Sequence, residues 1–172
     1  CTDKRVNEIT KTLFNVADTP EKMRDIPLGR LEELIHSAGF YKNKAKFLHN
    51  MSADLVDRFD GKVPNDIASL RSLDGVGQKT ANVVYAVGFN GQALAVDTHV
   101  FRVARRLGLA DAKTPEKVEE QLKNDIDENM WTDSHHYLLL HGRYVCKARN
   151  PECEKCIIKD FCDYYQKSLI SE

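Results

Sequence analysis

Cys146, Cys153, Cys156 and Cys162 place four thiols within 17 residues, in the spacing Cys-x6-Cys-x2-Cys-x5-Cys, near the end of a 172-residue chain. Thiolates so close together can converge on one metal centre, and they rarely cluster otherwise. By chemistry alone zinc and a 4Fe-4S cluster both fit, zinc being the commoner occupant of four-cysteine sites, and the spacing is unlike the ferredoxin run. The fifth cysteine is Cys1. Such crowding differs from a disulfide scaffold, whose bridges are spread through a small secreted domain, and it points to a reducing compartment. His135, His136 and His141 lie close by in sequence. Four sulfurs already complete a ligand set, so these histidines read as structural.

A second group with chemical potential is Leu73-Asp74-Gly75-Val76-Gly77-Gln78-Lys79-Thr80-Ala81. Two glycines one residue apart, between a short helix expected over 66–72 and another running to about Gly88, allow a turn that presents amides to an anion at the next helix's N-terminus. That is a helix-hairpin-helix, a module that grips a DNA phosphate; a bare Gly-x-Gly pair would equally suit a tight turn between core helices. Lys79 falls in the first turn of the second helix, where aligned peptide dipoles disfavour added positive charge and favour some neutral, nucleophilic amine. Eighteen residues on, Ala93-Leu94-Ala95-Val96-Asp97-Thr98-His99 puts an acid directly after an apolar run. Asp97 reads first as a helix N-cap. A capping carboxylate is also a fixed anion, able to stabilise a cationic sugar developing beside it.

Bulk charge does not announce a nucleic-acid partner. The net charge is -1, with 13 basic and 12 acidic residues up to Gly91 and 12 and 14 beyond it. Phosphate contacts must come from local groups. Arg143, Lys147 and Arg149 lie in a stretch from Ser134 to Asn150 without an acidic residue, which makes the first loop of the cysteine site a candidate contact. Two other groups, Arg102, Arg105 and Arg106, and Lys42, Lys44 and Lys46, read by default as solvated helix faces. No apolar run is long enough to cross a bilayer and no signal-peptide pattern is present, so a cytoplasmic protein is expected.

The elements that must position these residues are helices. Val6, Ile9, Leu13 and Val16 recur at steps of three and four, as do Phe47, Met51, Leu55 and Phe59; Val100, Val103 and Leu107; and Val118, Leu122 and Ile126. These stripes predict buried faces, and no alternating stretch competes for strand. Asp3, Thr19-Pro20 and Thr114-Pro115 read as N-caps, and Gly39, Gly61 and Gly108 sit just past helix ends. About ten short helices result: the fold class is all-α. If two lobes exist, Phe89-Asn90-Gly91 is the expected crossing, giving domains 1–91 and 92–172. The chain begins at Cys1 rather than Met, so a preceding segment is expected.

With these phrases in place, together with Asn82-Val83-Val84 and Leu140-His141-Gly142-Arg143, the sequence resembles the endonuclease III family of DNA glycosylases over essentially its whole length. The resemblance implies a two-lobed helical fold, a barrel domain bearing the hairpin and a second lobe ending in a 4Fe-4S cluster, with damaged double-stranded DNA bound across the cleft by a monomer. It resolves zinc against iron-sulfur in favour of the cluster. The family's catalytic lysine and aspartate fall on Lys79 and Asp97, its phosphate-gripping hairpin on Leu73, Gly75, Val76 and Gly77, and its helix-distorting wedge on Phe40. Lys147 and Arg149 are the expected backbone contacts of the cluster loop. Implied activities are excision of oxidised pyrimidines and β-elimination at abasic sites through a lysine Schiff base. Three departures stand out: Asp74 where members often carry Pro, Phe40 where Leu is frequent, and a Leu-Ser-Ala-Gln run that would fall immediately before Cys1. Two other readings are an adenine-mismatch glycosylase, which lacks the lysine, and a non-catalytic DNA-binding module with structural zinc.

Overall fold

The computed structural model describes residues 1–170, with Asp3 described by its backbone alone. The described chain is built of helices and the loops that join them, with no strand among the described residues. It divides into two compact units, one from Cys1 to Gly77 and the other from Gln78 onward. The expected second domain ends at 172, two residues beyond those described.

The first unit holds α1 (Asp3–Val16), α2 (Pro20–Asp25), α3 (Leu28–Leu34), α4 (Tyr41–Phe59) and α5 (Ile67–Arg71). Thr19 caps α2 with its hydroxyl on the Lys22 amide and Pro20 sits in the first turn, as the sequence predicts. The first cap differs: Thr2 is the N-cap, accepting from the Arg5 amide at 3.4 Å, and Asp3, whose side chain lies outside the described structure, is the first residue of α1. The core gathers Leu13, Ala17, Met23, Ile26, Leu31, Ile35 and Ala45. Truncating fully buried Leu31 to alanine would cost about 2–5 kcal/mol. Val6 and Val16 do not join the core as the stripe suggested; they are exposed, because α1 buries only a narrow face centred on Leu13.

The second unit holds α6 (Gln78–Phe89), α7 (Thr98–Leu107), α8 (Pro115–Asp125), α9 (Trp131–Tyr144) and α10 (Asp163–Ile170). Its core is Leu94, Val96, Val100, Val103, Ala104, Ala110, Val118, Leu122 and Leu138. Thr114 caps α8, and α7 stops at Gly108, whose φ of 87° suits glycine. α9 packs closely on α7 at Gly142, where a Cβ would come within 2.9 Å of Val103 Cγ2 and 3.0 Å of His99 Cβ. Any side chain there would push the two helices apart. Among the described residues no helix is long and apolar enough to cross a membrane.

Candidate active site and four-cysteine cavity

Lys79 and Asp97 both belong to the second unit. Lys79 is exposed in the first turn of α6, as expected. Asp97 is half-buried and caps α7, its Oδ1 accepting from the amides of His99 and Val100, each at 2.8 Å. One oxygen thus fixes the carboxylate. The charges of both residues reach His135: Asp97 favours its protonated form and Lys79 disfavours it.

Asp97 is placed by the segment before it. Ala93, Leu94, Ala95 and Val96 are all buried, yet they lie in neither helix nor strand. Backbone groups in such a run need partners from elsewhere. α9 supplies several. The Thr132 hydroxyl bridges Gly91 O at 3.2 Å and the Ala93 amide at 3.3 Å, and His135 Nδ1 lies 2.7 Å from Ala95 O. A neutral ring donating from Nδ1 satisfies that carbonyl. Desolvation pushes the His135 pKa below the ordinary histidine value, against the pull of Ala95 O and Asp97. His135 was legible only as a structural histidine; the spacing Thr132-x2-His135, which puts both side chains on one helical face, is the signal that could have marked it.

The hairpin residues close the first unit. Asp66 caps α5, accepting from the Ser69 amide at 2.8 Å, and the Val76 amide donates to Leu73 O at 3.2 Å. Gly75 has φ of 75°, and a Cβ there would come within 2.8 Å of the Phe47 ring, so conformation and space both require glycine. Leu73 is buried, leaving its backbone as what it can present; Val76 is half-buried and Gly77 exposed. Asp74 does not stand free beside the turn: Asn50 Nδ2 donates to its Oδ2 at 2.8 Å. Phe40, in the same unit, is 85% exposed in a left-handed conformation, φ 58°, immediately before α4. Lys44 donates back to Gly39 O.

All four predicted cysteines line one cavity in the second unit, with His141, Leu107, Val145 and Tyr165 around them. Burial, then the neighbouring sulfurs of Cys146, Cys162 and Cys156, push the Cys153 thiol up. Thiolates gathered this closely repel one another unless a cationic centre binds them, and this donor set suits such a centre. Among the described residues no three His, Cys, Asp or Glu side chains meet tightly enough for a single metal ion; the sulfurs ring a cavity. His141 Nε2 lies 3.7 Å from Cys156 Sγ.

The first loop of this site is held in a way the sequence did not foretell. Arg102 donates to Cys146 O at 3.0 Å and Gly142 O at 2.7 Å, and Arg106 to Lys147 O at 2.7 Å and Ala148 O at 3.2 Å. These arginines, expected on a solvated face, instead satisfy the Gly142 carbonyl in the last turn of α9 and the carbonyls of Cys146, Lys147 and Ala148 in the irregular loop that follows it. Arg105 alone of the three keeps to the exposed side, its guanidinium 5.4 Å from the Phe101 ring centroid. Lys147 pairs with Glu152, whose carboxyl is held below the usual range by that contact, while Arg149 is exposed.

Residues 1–128 match the model of the HhH-GPD superfamily of base excision DNA repair proteins, and residues 146–162 match the iron-sulfur binding domain of endonuclease III. The chain is 47% identical to an endonuclease III of Rickettsia felis over 171 residues, covering 99% of this chain and 80% of the relative. It is 49% identical to that of Rickettsia conorii over 164 residues, covering 95% and 78%. Among solved structures it superposes with a TM-score of 0.93 on a trapped endonuclease III–DNA covalent intermediate, 42% identical, covering 98% of this chain and 80% of that one. Nothing in these matches favours a zinc module. A hairpin phrase, an iron-sulfur domain and near full-length identity thus agree, and the chain belongs to the endonuclease III family, the 4Fe-4S DNA glycosylases and abasic-site lyases of base excision repair.

Proposed function

We propose that Lys79 is the nucleophile and Asp97 its electrostatic partner in excising oxidised pyrimidines from duplex DNA and cleaving abasic sites. The observation that carries this reading is their placement in one compact unit: an exposed amine in the first turn of α6, and a carboxylate pinned by two amides at the start of α7. A base inside the stack is out of reach, so the nucleotide is extruded first. The neutral Nζ of Lys79 then bonds to the sugar C1′ as the C1′–N bond to the base breaks, the electron pair leaving with the base. Asp97 stabilises the positive charge that grows on the sugar. Loss of the amine proton and ring opening give an imine; removal of a C2′ proton expels the 3′ phosphate, and water releases Lys79.

In this reading Leu73, Gly75, Val76 and Gly77 hold a phosphate through backbone groups, Phe40 wedges into the base stack, and Lys147 and Arg149 contact the DNA backbone. Cys146, Cys153, Cys156 and Cys162 hold the cluster, which supplies four strong bonds to an otherwise irregular loop. The proposed functional domains, 1–91 with the hairpin and Lys79 and 92–172 with Asp97 and the cluster, differ from the compact units, which part at Gly77; the protein works as a monomer in the cytoplasm, at the nucleoid in a bacterium. Damaged double-stranded DNA is the proposed partner; the endonuclease III on which the chain superposes is a trapped covalent intermediate with DNA.

Borohydride trapping tests the assignment, because reduction turns the transient imine into a stable amine. The parent is expected to form a covalent adduct with abasic duplex and Lys79→Gln none, at matched DNA occupancy. Undiminished trapping by Lys79→Gln would assign the chemistry to another amine.

A further inference from the structure

Asn82 sits one turn beyond Lys79 on α6 and is completely buried. Its Nδ2 donates to Leu94 O at 3.3 Å and to Glu119 Oε2 at 3.0 Å, and its Oδ1 accepts from Gln78 Nε2 at 2.9 Å. Both amide protons and the carbonyl are therefore used. Glu119 is itself buried, and its other oxygen takes Lys123 Nζ. That ammonium lies 4.9 Å from the Trp131 ring centroid.

The acceptor at Leu94 gives this chain of bonds its significance. Carbonyls of Gly91 and Ala95 turn towards α9, to Thr132 and His135, whereas that of the intervening Leu94 turns towards α6, to Asn82. The segment ending at Asp97 is thereby clamped from two sides. A buried polar group is costly unless every bond is made, and an apolar residue would serve for packing alone. Between α6 and this segment the covalent path runs through the left-handed turn at Asn90. Asn82 is a direct tie between the helix bearing Lys79 and the strap bearing Asp97.

We infer that Asn82 is a positioning residue, which sets the geometry of Lys79 relative to Asp97 through Leu94 and is itself oriented by Glu119 and Gln78. This rests on Lys79 being the nucleophile. Misplacement of reacting groups by about 1 Å costs as much as a hundredfold in rate.

The test is single-turnover cleavage of abasic duplex at saturating protein, with DNA affinity and thermal melting measured in parallel. Asn82→Ala leaves Glu119 Oε2 and Leu94 O without their donor, while Glu119 keeps Lys123. Asn82→Leu combined with Glu119→Leu replaces the buried amide–carboxylate pair by apolar groups, leaving Leu94 O, Gln78 and Lys123 as the groups that lose a bond, a change that keeps stability better than Asn82→Ala. Gln78→Ala frees only the Oδ1 of Asn82, at the part-buried end of the chain. The double variant is expected to melt cooperatively and bind with a Kd within about threefold of the parent, while its rate constant falls by about ten- to a hundredfold. Gln78→Ala is expected to move the same way by a smaller factor. A parent-like rate constant in the double variant would overturn the inference, as would a loss confined to Kd. If the double variant does not fold, a parent-like rate in Gln78→Ala overturns it and a lowered rate at unchanged Kd supports it. Lys79→Gln run alongside keeps the two assignments apart: adduct formation there defeats the nucleophile, whereas a dead Lys79→Gln beside a fully active Asn82 variant defeats only the positioning role.

Discussion

Arg106 Nη1 lies 3.4 Å from Cys146 Sγ and 2.7 Å from Lys147 O, so the helix that Asp97 caps at one end grips the four-cysteine loop near its other end. An arginine N–H directed at a thiolate stabilises its charge, and two further carbonyl bonds fix the loop's path. One helix thus carries a candidate catalytic group and an anchor of the cluster.

Replacing Arg106 with alanine is therefore expected to release iron to a chelator severalfold faster, on the order of 10-fold, since such outer partners commonly alter metal affinity by 10–100-fold. Visible absorbance followed during the challenge reads this directly. Equal loss rates would reduce Arg106 to a surface cation.

The fold class, the helix count, the Thr19 and Thr114 caps and the role of Asp97 as a cap were legible because each depends on local residue types: apolar periodicity and short polar side chains before helix starts. The clustering of the cysteines was legible for the same reason. Arg102 and Arg106 were misread because helical periodicity shows which residues share a face, not that a loop forty residues later brings its carbonyls to that face. The bonds of Asn82 and His135 escaped likewise, although His135 was read as structural. Their partners, Leu94, Glu119 and Ala95, are brought to them by tertiary packing that no short-range pattern encodes.

Asp97→Asn is expected to keep its cap, since an asparagine oxygen can accept from the same two amides, so stability should fall by less than about 1 kcal/mol. The chemical step should slow by about a hundredfold or more at unchanged DNA affinity, because only the charge is removed. Single-turnover rates and Kd on one duplex separate these effects. A rate equal to the parent's would leave Asp97 as a cap alone.

Asp74 adds a negative charge to the proposed phosphate-holding turn, but Asn50 occupies one of its oxygens. Asp74→Asn preserves the shape and a hydrogen bond while removing the charge. Binding to abasic duplex should tighten by about two- to fivefold at low salt, with the gain shrinking as salt rises. Titrations at two fixed ionic strengths check this; an unchanged Kd at both would mean that Asp74 lies outside the phosphate's reach.

His135 gives a prediction in pH. Burial, assisted by the charges of His136 and Lys79, lowers its pKa in the folded protein, so below about 6.5 the unfolded chain binds the extra proton first. The stability from the neutral, buried ring is thus present above that pH and lost as pH falls through the folded value. His141, also lowered by burial, slopes the same way, so the difference between parent and His135→Gln isolates the first ring. Denaturant midpoints between pH 7.5 and 5, a range chosen to span about 6.5, should fall less steeply in His135→Gln. Parallel curves would show that His135 takes up no proton in that window.

Phe40 combines two features that packing alone does not favour. It is 85% exposed, and it holds φ of 58°, a conformation that L residues other than asparagine and aspartate seldom adopt. Exposure costs hydrophobic stabilisation and the backbone costs about 1–2 kcal/mol, so Phe40 is poorly placed for stability but well placed to enter a base stack. Phe40→Gly should therefore raise the melting temperature, because glycine accepts this conformation freely and little packing is lost. The same variant should slow processing of a paired, damaged base far more than cleavage of unpaired abasic DNA, where no stacking has to be replaced. Thermal melting and single-turnover rates on the two substrates give the comparison. A glycine variant that is more stable and equally active on both would show that the strain at Phe40 serves something other than base extrusion; one that is equally slowed on both would place Phe40 in binding rather than in the opening of the duplex.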